Sequence, residues 1–200
     1  MKKQIIIIHG GTTFDTLEEY IAFLKNRDVN AEKFKIKRDW KGLLETELSA
    51  DYEVFSPRMP NEANARYEEW KIWFMRMIPF LEDGCIFVGH SLGGIFLAKY
   101  FSENIFPKKI AAVVLVAAPF DGVGSEESLS DFILPQSLEK FVAQAPVIYL
   151  IYSKDDPVVP IDECRKYTEK LPQARIIPFS DKQHFNQDSF PEIVELLRSI

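Results

Sequence analysis

The chain reads CIFVGHSLGGIFLAKYF over residues 85–101, an apolar run followed at once by a helix-like one. Between the two runs lies Gly89-His90-Ser91-Leu92-Gly93, a G-x-S-x-G motif at a predicted strand-to-helix turn. Such a turn strains the backbone of its central serine, and the glycines on either side remove side chains that would collide. We therefore predict that the Ser91 hydroxyl stands clear of the sheet. The backbone N–H of Leu92 then lies at a helix N-terminus, where it can face developing negative charge.

Short apolar runs recur along the rest of the chain. They are rich in Ile and Val, are bounded by turn residues and are continuous rather than alternating, which is typical of a parallel sheet covered on both faces. The strongest runs are residues 5–8, 86–88, 111–117 and 147–152, and the weaker ones are residues 52–55 and 175–179. Helical patterns separate these runs, so that strand alternates with helix from end to end. This order predicts a doubly wound α/β sheet.

Four helical patterns lie between or after the predicted strands. Residues 16–19 (TLEE) predict a capping box that opens a helix with an apolar stripe at Leu17, Tyr20, Ile21 and Leu24. Residues 189–192 (SFPE) predict a second capping box, with proline at the first position of the last helix. The other two patterns cover residues 64–81, whose aromatic stripe we assign to the core, and residues 162–171.

One irregular region, residues 119–145, interrupts this alternation. Residues 121–127 are polar and loop-like, whereas residues 132–141 have the pattern of a short helix. The region leaves the sheet at the end of a strand, where α/β sheets place their sites, so we interpret it as a small lid or pocket wall. Five aromatic side chains either line an apolar pocket or belong to the core: Trp70, Trp73, Phe74, Phe132 and Phe141.

Composition and charge narrow the class of protein. A chain of 200 residues with 46% hydrophobic residues fits one packed globular domain, which we expect to span residues 1–200. The net charge of −6 and the lack of any basic block argue against nucleic acid as a partner. The apolar run at the N-terminus is too short for a signal peptide, and no stretch reaches the length of a membrane span. Cys85 and Cys164 indicate neither a disulfide framework nor a zinc site, so we expect a cytoplasmic protein without a metal.

An activated serine needs a base to accept its proton and a carboxylate to orient that base. In an α/β fold with this serine turn, the partners follow in the order serine, acid, histidine, each on a loop after a strand. Of the three histidines, His9 and His90 lie at the ends of the first and third predicted strands, inside motifs that are explained otherwise. His184 follows the last predicted strand and precedes the last predicted helix. We therefore predict that His184 is the base.

The acid is expected on the loop after the fifth predicted strand, where the chain reads SKDDPVVP. Asp-Pro is also an ordinary turn signal, but a carboxylate is required on this loop. Asp155 and Asp156 both meet the requirement. Asp121, Glu126 and Glu127 are weaker candidates, because they sit one strand earlier.

An oxyanion hole needs a second backbone N–H besides that of Leu92. The loop after the first predicted strand reads HGGTT over residues 9–13, and its glycines let the backbone approach a bound carbonyl group. We choose Gly11 as the second donor, with Thr12 as the alternative. The loop lacks the spacing of the common phosphate-binding motifs, so a nucleotide cofactor is not expected.

Together, the G-x-S-x-G turn, the segment DPVVP at residues 156–160 and the pair His184-Phe185 resemble the α/β-hydrolase superfamily. More narrowly, the chain is similar to the small serine hydrolases that include the retinoblastoma-binding hydrolase of animals and its compact bacterial relatives. That resemblance implies Ser91 as nucleophile and His184 as base. It favours Asp156 as acid, since the family's acid is the second aspartate of an Asp-Asp-Pro segment. It also implies carboxylesterase-like activity on small esters.

Three features depart from the family's pattern. Gln183 precedes the base, at a position where glycine is frequent in the family. No Leu-x-Cys-x-Glu segment occurs, so binding of the retinoblastoma protein is not expected. Residues 35–58, which include Trp40, have no counterpart in the pattern.

These inferences combine into one prediction, a single-domain α/β hydrolase with a small lid at residues 119–145. Its six mainly parallel strands are expected in the order 2-1-3-4-5-6, with helices on both faces. The expected reaction is hydrolysis of a small-molecule carboxylic ester through an acyl-enzyme, without cofactor or metal. Acyl transfer or amide hydrolysis by the same residues is one alternative. A catalytically idle binding protein on the same fold is the other.

Overall fold

Six strands form one sheet in the computed structural model, which describes residues 2–35, 39–123 and 128–200. The strands are β1 Lys3–Ile8, β2 Tyr52–Phe55, β3 Cys85–His90, β4 Ile110–Val116, β5 Ile148–Ser153 and β6 Arg175–Phe179. Every neighbouring pair is parallel, and the spatial order β2-β1-β3-β4-β5-β6 confirms the predicted order. The two strands inferred from weaker runs, β2 and β6, begin and end at the predicted residues.

The carboxyl ends of the central strands lie level at one edge of the sheet. Ile8 at the end of β1 pairs with Gly89 of β3, and His90 of β3 pairs with Val116 at the end of β4. The loops after β1, β3 and β4 therefore meet over the same edge. This is the edge at which open α/β sheets place their functional sites.

Seven α-helices occur within the described ranges. They are α1 Leu17–Asn26, α2 Trp40–Leu48, α3 Tyr67–Met77, α4 Leu92–Glu103, α5 Glu139–Gln144, α6 Ile161–Lys170 and α7 Pro191–Arg198. Helices α2 and α7 cover one face of the sheet, in a core that includes Trp40 and Leu197. Helices α3, α4 and α6 cover the other face, in a second core that includes Trp70 and Phe96. Because the sheet lies between two cores, its strands are apolar on both sides.

Helix α1 does not take part in this two-sided packing. Its predicted capping box is present, since the Thr16 hydroxyl accepts from the Glu19 N–H and the Glu19 carboxylate accepts from the Thr16 N–H. Its apolar stripe is only partly covered, because Leu17 is 63% and Leu24 49% exposed, whereas Tyr20 is half-buried with its ring 5.4 Å from that of Phe14. The helix lies between β1 and α2, and its residues belong to neither of the two cores.

The predicted capping box at the start of α7 does not form. The N-cap residue is Phe190, without a side-chain cap, and Pro191 is the first helical residue as predicted. Phe190 is buried against Trp40, with ring centroids 5.5 Å apart, and this burial places Ser189 one position too early to cap the helix. The Glu192 carboxylate pairs instead with Lys182 Nζ at 2.7 Å. The packing of the Phe190 side chain therefore outweighs the preference of Ser189 for the capping position.

The segment after β4 is a packed wall, and the predicted helix over residues 132–141 is wrong in extent. A 3-10 turn covers Ser130–Phe132, and α5 begins only at Glu139. Pro135 explains the interruption, because proline disfavours helical backbone at the residue before it. Residues 124–127 of the expected polar loop lie outside the described residues.

The aromatic residues considered for a pocket belong mainly to the core. Phe132 and Phe141 are fully buried, as are Trp70 and Phe74, and the rings of Trp70 and Phe132 lie 5.3 Å apart. Trp73 is the exception at 47% exposed. Of the two interpretations, the core therefore holds for Trp70, Phe132 and Phe141, whereas Trp73 and Phe74 line a mostly apolar cavity of about 320 Å³. In the described ranges, no helix has the length and apolar character to cross a bilayer.

Candidate active site

Ser91 occupies the turn between β3 and α4 in a strained backbone conformation. Its φ of 53° and ψ of −124° lie outside the regions that L-residues favour. The Ser91 N–H donates to the Val116 carbonyl at 2.8 Å, which holds the turn against the end of β4. A Cβ on Gly93 would lie 2.2 Å from the Ile8 carbonyl oxygen, and one on Gly89 would lie 2.5 Å from the carbonyl oxygen of Gly93. The close approach of three chain segments therefore requires the two glycines of the motif.

Replacing Gly93 by alanine is expected to destabilise the protein by about 3 kcal/mol or more, because the added methyl meets main-chain oxygens of β1 and its loop. Gly42 in helix α2 is a matched control, since a Cβ there meets nothing within 4 Å. Gly42→Ala is expected to be neutral or to stabilise by up to about 1 kcal/mol. Urea unfolding of both variants measures the difference. A Gly93→Ala variant as stable as the wild type would show that the turn has room for a side chain.

The side chains of Ser91, His184 and Asp156 form a continuous hydrogen-bonded chain. Ser91 Oγ lies 2.9 Å from His184 Nε2. His184 Nδ1 lies 2.9 Å from Asp156 Oδ2 and 3.1 Å from Oδ1. A carboxylate only accepts, so Nδ1 carries the proton and Nε2 accepts from the serine hydroxyl. The arrangement thus combines a nucleophile, a base in the tautomer it needs and a carboxylate, 1% exposed, that orients the base.

The two neighbouring aspartates contact different groups. Asp156 contacts the imidazole and also accepts two backbone N–H groups of the turn that follows it, at 2.8 and 2.9 Å. Asp155 accepts the Ser153 hydroxyl and, at 3.0 Å, the N–H of Gln183. Asp155 therefore ties down the loop that carries His184, whereas Asp156 contacts the His184 ring.

The alternative acids from the segment after β4 do not reach His184. Asp121 pairs with Lys166 on helix α6. Glu126 and Glu127 lie outside the described residues. Of the carboxylates with described positions, Asp156 is the one in contact with the imidazole.

Gly11 and Leu92 line a common cavity with Ser91, and their main-chain N–H groups are the candidate oxyanion donors. Leu92 is the first residue of α4, and the first N–H groups of a helix have no partner inside it. In the loop after β1, the Thr12 N–H is already used, because it donates to the Glu62 carbonyl at 2.8 Å. The Gly11 N–H donates to no acceptor among the described residues, and Gly11 lines the same cleft as Ser91. The geometry therefore favours Gly11 over Thr12 as a donor to a bound oxyanion.

The loop that carries His184 is held by two side chains that the sequence did not identify as functional. His90 Nε2 donates to the main-chain carbonyl of His184 at 2.9 Å. Trp40 Nε1 donates to the carbonyl of Phe185 at 2.8 Å. Such support matters because Gln183 and Phe185 have positive φ angles of 47° and 52°, which non-glycine residues adopt at a cost.

The residues around Trp40 in the sequence contain no pattern that indicates this role. It belongs to the segment without a counterpart in the family's pattern, and it lies 145 positions before the residue that it holds. Its indole packs edge-on against the rings of His90 and Phe190, at 6.0 and 5.5 Å. Only folding of α2 onto the loop before α7 brings these groups together.

Buried His90 is expected to make the stability of the protein depend on pH. Burial is the main cause that lowers the pKa of His90 well below its ordinary value, and the positive charge of nearby Lys41 lowers this pKa further. Below about pH 6.5, the unfolded chain binds a proton at this position that the native protein does not bind. Stability therefore falls as pH falls, by up to about 1.4 kcal/mol per pH unit from this residue.

The measurement compares the wild type with His90→Gln, whose amide can still donate to the His184 carbonyl but does not titrate. Urea unfolding from about pH 7.5 down to about pH 5.5 should show a larger loss of stability in the wild type. Other titrating groups affect both proteins equally, so they cancel in the difference. Parallel curves would contradict the assignment of this dependence to His90.

The third histidine, His9, shapes the loop after β1. Its Nε2 accepts the N–H of Met59 at 2.8 Å, so Nδ1 carries the proton and donates to the carbonyl of Gly10 at 2.5 Å. Its ring packs edge-on against Trp70, with centroids 5.6 Å apart. His9 therefore takes part in the loop and does not contact Ser91.

Ser91 and His184 line a cleft of about 550 Å³, whereas the buried Asp156 lies behind His184 and does not line it. Its polar lining includes Arg27, Asp39, Lys41, Glu62 and Asn186. Across the described part of the chain, no three His, Cys, Asp or Glu side chains are grouped to hold a metal ion. The cleft therefore offers a substrate many hydrogen-bonding partners next to Ser91.

Comparisons with known proteins bear on the family and the fold of the chain. A sequence profile of the family described as "Serine hydrolase" matches residues 35–199. Serine hydrolase RBBP9 of Rattus norvegicus is 28% identical over 151 residues, which cover 74% of this chain and 78% of that protein. YdeN of Bacillus subtilis strain 168 is 24% identical over 204 residues, which cover 100% of this chain and 96% of that protein. The crystal structure of the ydeN gene product superposes with a TM-score of 0.77 at 21% identity, covering 99% of this chain and 98% of that one. The structural match confirms the predicted α/β fold.

Proposed function

Since the chain belongs to the serine hydrolase family, we propose that it hydrolyses small carboxylic esters through an acyl-enzyme. In this proposal Ser91 is the nucleophile, His184 is the base and Asp156 orients the base. The observation that carries it is the unbroken hydrogen-bonded chain from Ser91 Oγ through both ring nitrogens of His184 to Asp156. A histidine shared in this way can take a proton on one side while the carboxylate stabilises the resulting positive charge on the other.

The first half of the reaction transfers the acyl group to the protein. Ser91 Oγ forms a bond to the ester carbonyl carbon as its proton passes to His184 Nε2. The tetrahedral intermediate has a negatively charged oxygen, which the N–H groups of Gly11 and Leu92 stabilise. Collapse of the intermediate breaks the bond to the alcohol oxygen, which takes the proton from His184. The alcohol leaves, and the acyl group remains on Ser91.

The second half of the reaction releases the acid. A water molecule gives a proton to His184 Nε2 and forms a bond to the acyl carbon. The same two N–H groups stabilise the second intermediate. Its collapse breaks the bond to Ser91 Oγ, which recovers its proton from His184. The carboxylic acid departs, and the site returns to its starting state.

Burial of the carboxylate supports this assignment of roles. The Asp156 side chain is 1% exposed and that of His184 11%, so little water competes for the contact between them. Charge interactions are stronger where water is excluded. The positively charged His184 ring, which forms once in each half of the reaction, is therefore stabilised by the carboxylate of Asp156.

Labelling with a fluorophosphonate probe tests the proposal without knowledge of the natural substrate. Such probes react with serines that a neighbouring base activates. We expect one adduct per molecule, located on Ser91 by mass spectrometry of peptides, and no adduct in folded His184→Ala. Ser128 is an internal control, because it lines the neighbouring cavity while its hydroxyl donates to Asp15 and has no histidine beside it.

The opposite result has a defined meaning. Folded wild-type protein that resists the probe would contradict an activated Ser91. It would favour the alternative of a binding protein that keeps the fold without the reaction. Melting followed by circular dichroism would show that the unlabelled protein is folded.

A further inference from the structure

The small cavity that Ser91 shares with Gly11 and Leu92 has the size of a carbonyl oxygen. Its volume is about 20 Å³, which holds roughly one water-sized group. Because the nucleophile and both candidate oxyanion donors line it, the cavity accommodates the ester oxygen that becomes negatively charged in the proposed reaction. The other residues around this cavity therefore influence how well the two N–H groups are aimed.

One buried threonine, Thr13, also lines this cavity. Thr13 is 3% exposed, and its hydroxyl donates to the main-chain carbonyl of Ser128. Since a hydroxyl has a single proton and this proton is already used, Thr13 is not itself a third donor to the oxyanion. Its hydroxyl instead connects the loop after β1, which carries Gly11, to the wall after β4, which carries Ser128.

The loop after β1 depends on such connections, because residues 9–14 form neither helix nor strand. Three hydrogen bonds hold it to residues 59–65, namely Met59 N–H to His9 Nε2, Thr12 N–H to the Glu62 carbonyl and Ala65 N–H to the Thr12 carbonyl. The partners in all three bonds belong to one segment. Among the described hydrogen bonds of residues 9–13, the bond of Thr13 is the one that reaches the wall after β4.

We propose that Thr13 is a positioning residue of the oxyanion hole, which holds the Gly11 N–H in place through its bond to the Ser128 carbonyl. The proposal rests on the proposed esterase function and adds a residue that supports it. Gly11 precedes Thr13 by only two residues, so a shift of the threonine moves the donor as well. A displacement of about 1 Å at a catalytic group can lower the rate about 100-fold.

Loss of the Thr13 hydroxyl is expected to displace the loop because this bond is buried. Valine has nearly the shape of threonine, but it would place a methyl group against the Ser128 carbonyl. Water has little access to replace the lost bond, and an unpaired carbonyl is unfavourable, so the loop and the wall should shift relative to each other. Leu92 belongs to the first turn of α4 and should keep its position.

Thr13→Val tests the proposal with p-nitrophenyl acetate as substrate. We expect kcat to fall about 10- to 100-fold while KM stays within about twofold, because the oxyanion contact is made in the transition state and not with the bound ester. The value of kcat is counted per serine that a fluorophosphonate probe labels after long incubation, so unfolded protein does not enter it. Thr13→Ser keeps the hydroxyl and should restore kcat.

Tyr52→Phe is the matched control for the loss of a hydrogen bond between distant segments. Tyr52 is 6% exposed and its hydroxyl donates to the Leu197 carbonyl at 2.7 Å, but Tyr52 lines neither the cleft nor the small cavity. This variant should lose thermal stability, as Thr13→Val should, and keep the kcat of the wild type. The comparison separates a general loss of stability from a misplaced donor.

Inhibition by phenylboronic acid gives a second readout that does not depend on turnover of the acyl-enzyme. Boronic acids add to an active serine as tetrahedral anions and so imitate the oxyanion state. We expect the inhibition constant of Thr13→Val to rise by about the factor by which kcat/KM falls. The inhibition constant of Tyr52→Phe should equal that of the wild type.

The outcomes separate this proposal from the function on which it rests. Wild-type kcat in labelled, folded Thr13→Val would overturn the proposal while the esterase function stands, and so would an equal loss of kcat in Tyr52→Phe. If Thr13→Val does not fold, Thr13→Ala removes the hydroxyl without placing a methyl group against the carbonyl, and its kcat decides in the same way. A wild type that resists the probe and turns over no ester would remove the proposed function, and the proposal with it.

Discussion

Ser91→Ala is expected to lower kcat for p-nitrophenyl acetate by about 10⁴-fold or more while the protein stays folded. The backbone strain at this position is the same for alanine as for serine, because neither is glycine and the φ of 53° is imposed by the turn. The hydroxyl contacts His184 Nε2, so its removal takes away the nucleophile and one hydrogen bond. Steady-state kinetics and a thermal melt of the same sample measure both parts of this prediction.

Two further variants sharpen the test of Ser91. Ser102→Ala is the matched control, because Ser102 is a buried serine of helix α4 whose hydroxyl donates to the Ala98 carbonyl at 2.7 Å. Its activity should equal that of the wild type. His184→Ala should lose about as much activity as Ser91→Ala, and the double variant should lose no more than either single one, since the two residues act as a unit. Losses that multiply in the double variant would show that the two side chains act independently.

Asp156→Asn is expected to lower kcat by about 10⁴-fold with little change in structure. The asparagine side chain has nearly the same shape, but its amide can donate to His184 Nδ1. The imidazole then prefers the tautomer whose proton is on Nε2, which cannot accept from Ser91. Comparison of kcat near neutral pH for wild type and variant gives the measurement.

Asp155→Asn distinguishes the two neighbouring aspartates. The Asp155 oxygen accepts from the Ser153 hydroxyl and from the Gln183 N–H, and an amide oxygen can accept from both. We therefore expect the Asp155 variant to keep activity within about tenfold of the wild type. If Asp155→Asn were the more damaging of the two, the assignment of the orienting carboxylate would have to be reversed.

The sheet was predictable because its strands are continuous apolar runs. Even the weakly patterned edge strands β2 and β6 have the predicted bounds, since the turn residues around them are strong. Local signals failed where burial of a distant side chain outweighed them. At the start of α7, burial of Phe190 against Trp40 moved the helix start past the serine that was expected to cap it.

Helix α1 shows a different limit of local patterns. Its capping box formed as expected, but its apolar stripe is only partly covered, since Leu17 and Leu24 are exposed while Tyr20 packs against Phe14. An apolar stripe in the sequence indicates which side chains a helix can bury, but it does not indicate whether another part of the fold covers them. The packed wall after β4 shows the same limit, because Phe132 and Phe141 are core residues although their segment is mostly not helical.

The sequence by itself determined the order of strands and helices, the serine turn and the short set of residues that can surround it. These depend on neighbours in the chain, namely apolar runs, glycines two residues from Ser91 and polar residues just after strands. Only the tertiary structure shows that Asp156 and not Asp155 contacts the His184 ring, and that the Thr12 N–H is already bonded, because both depend on hydrogen bonds between distant segments. The contacts of Trp40 and His90 with the loop of His184 likewise arise from segments far apart in the chain. Residues adjacent in the chain determine the local backbone geometry, whereas the packing of distant segments determines which hydrogen-bonding atoms are already paired.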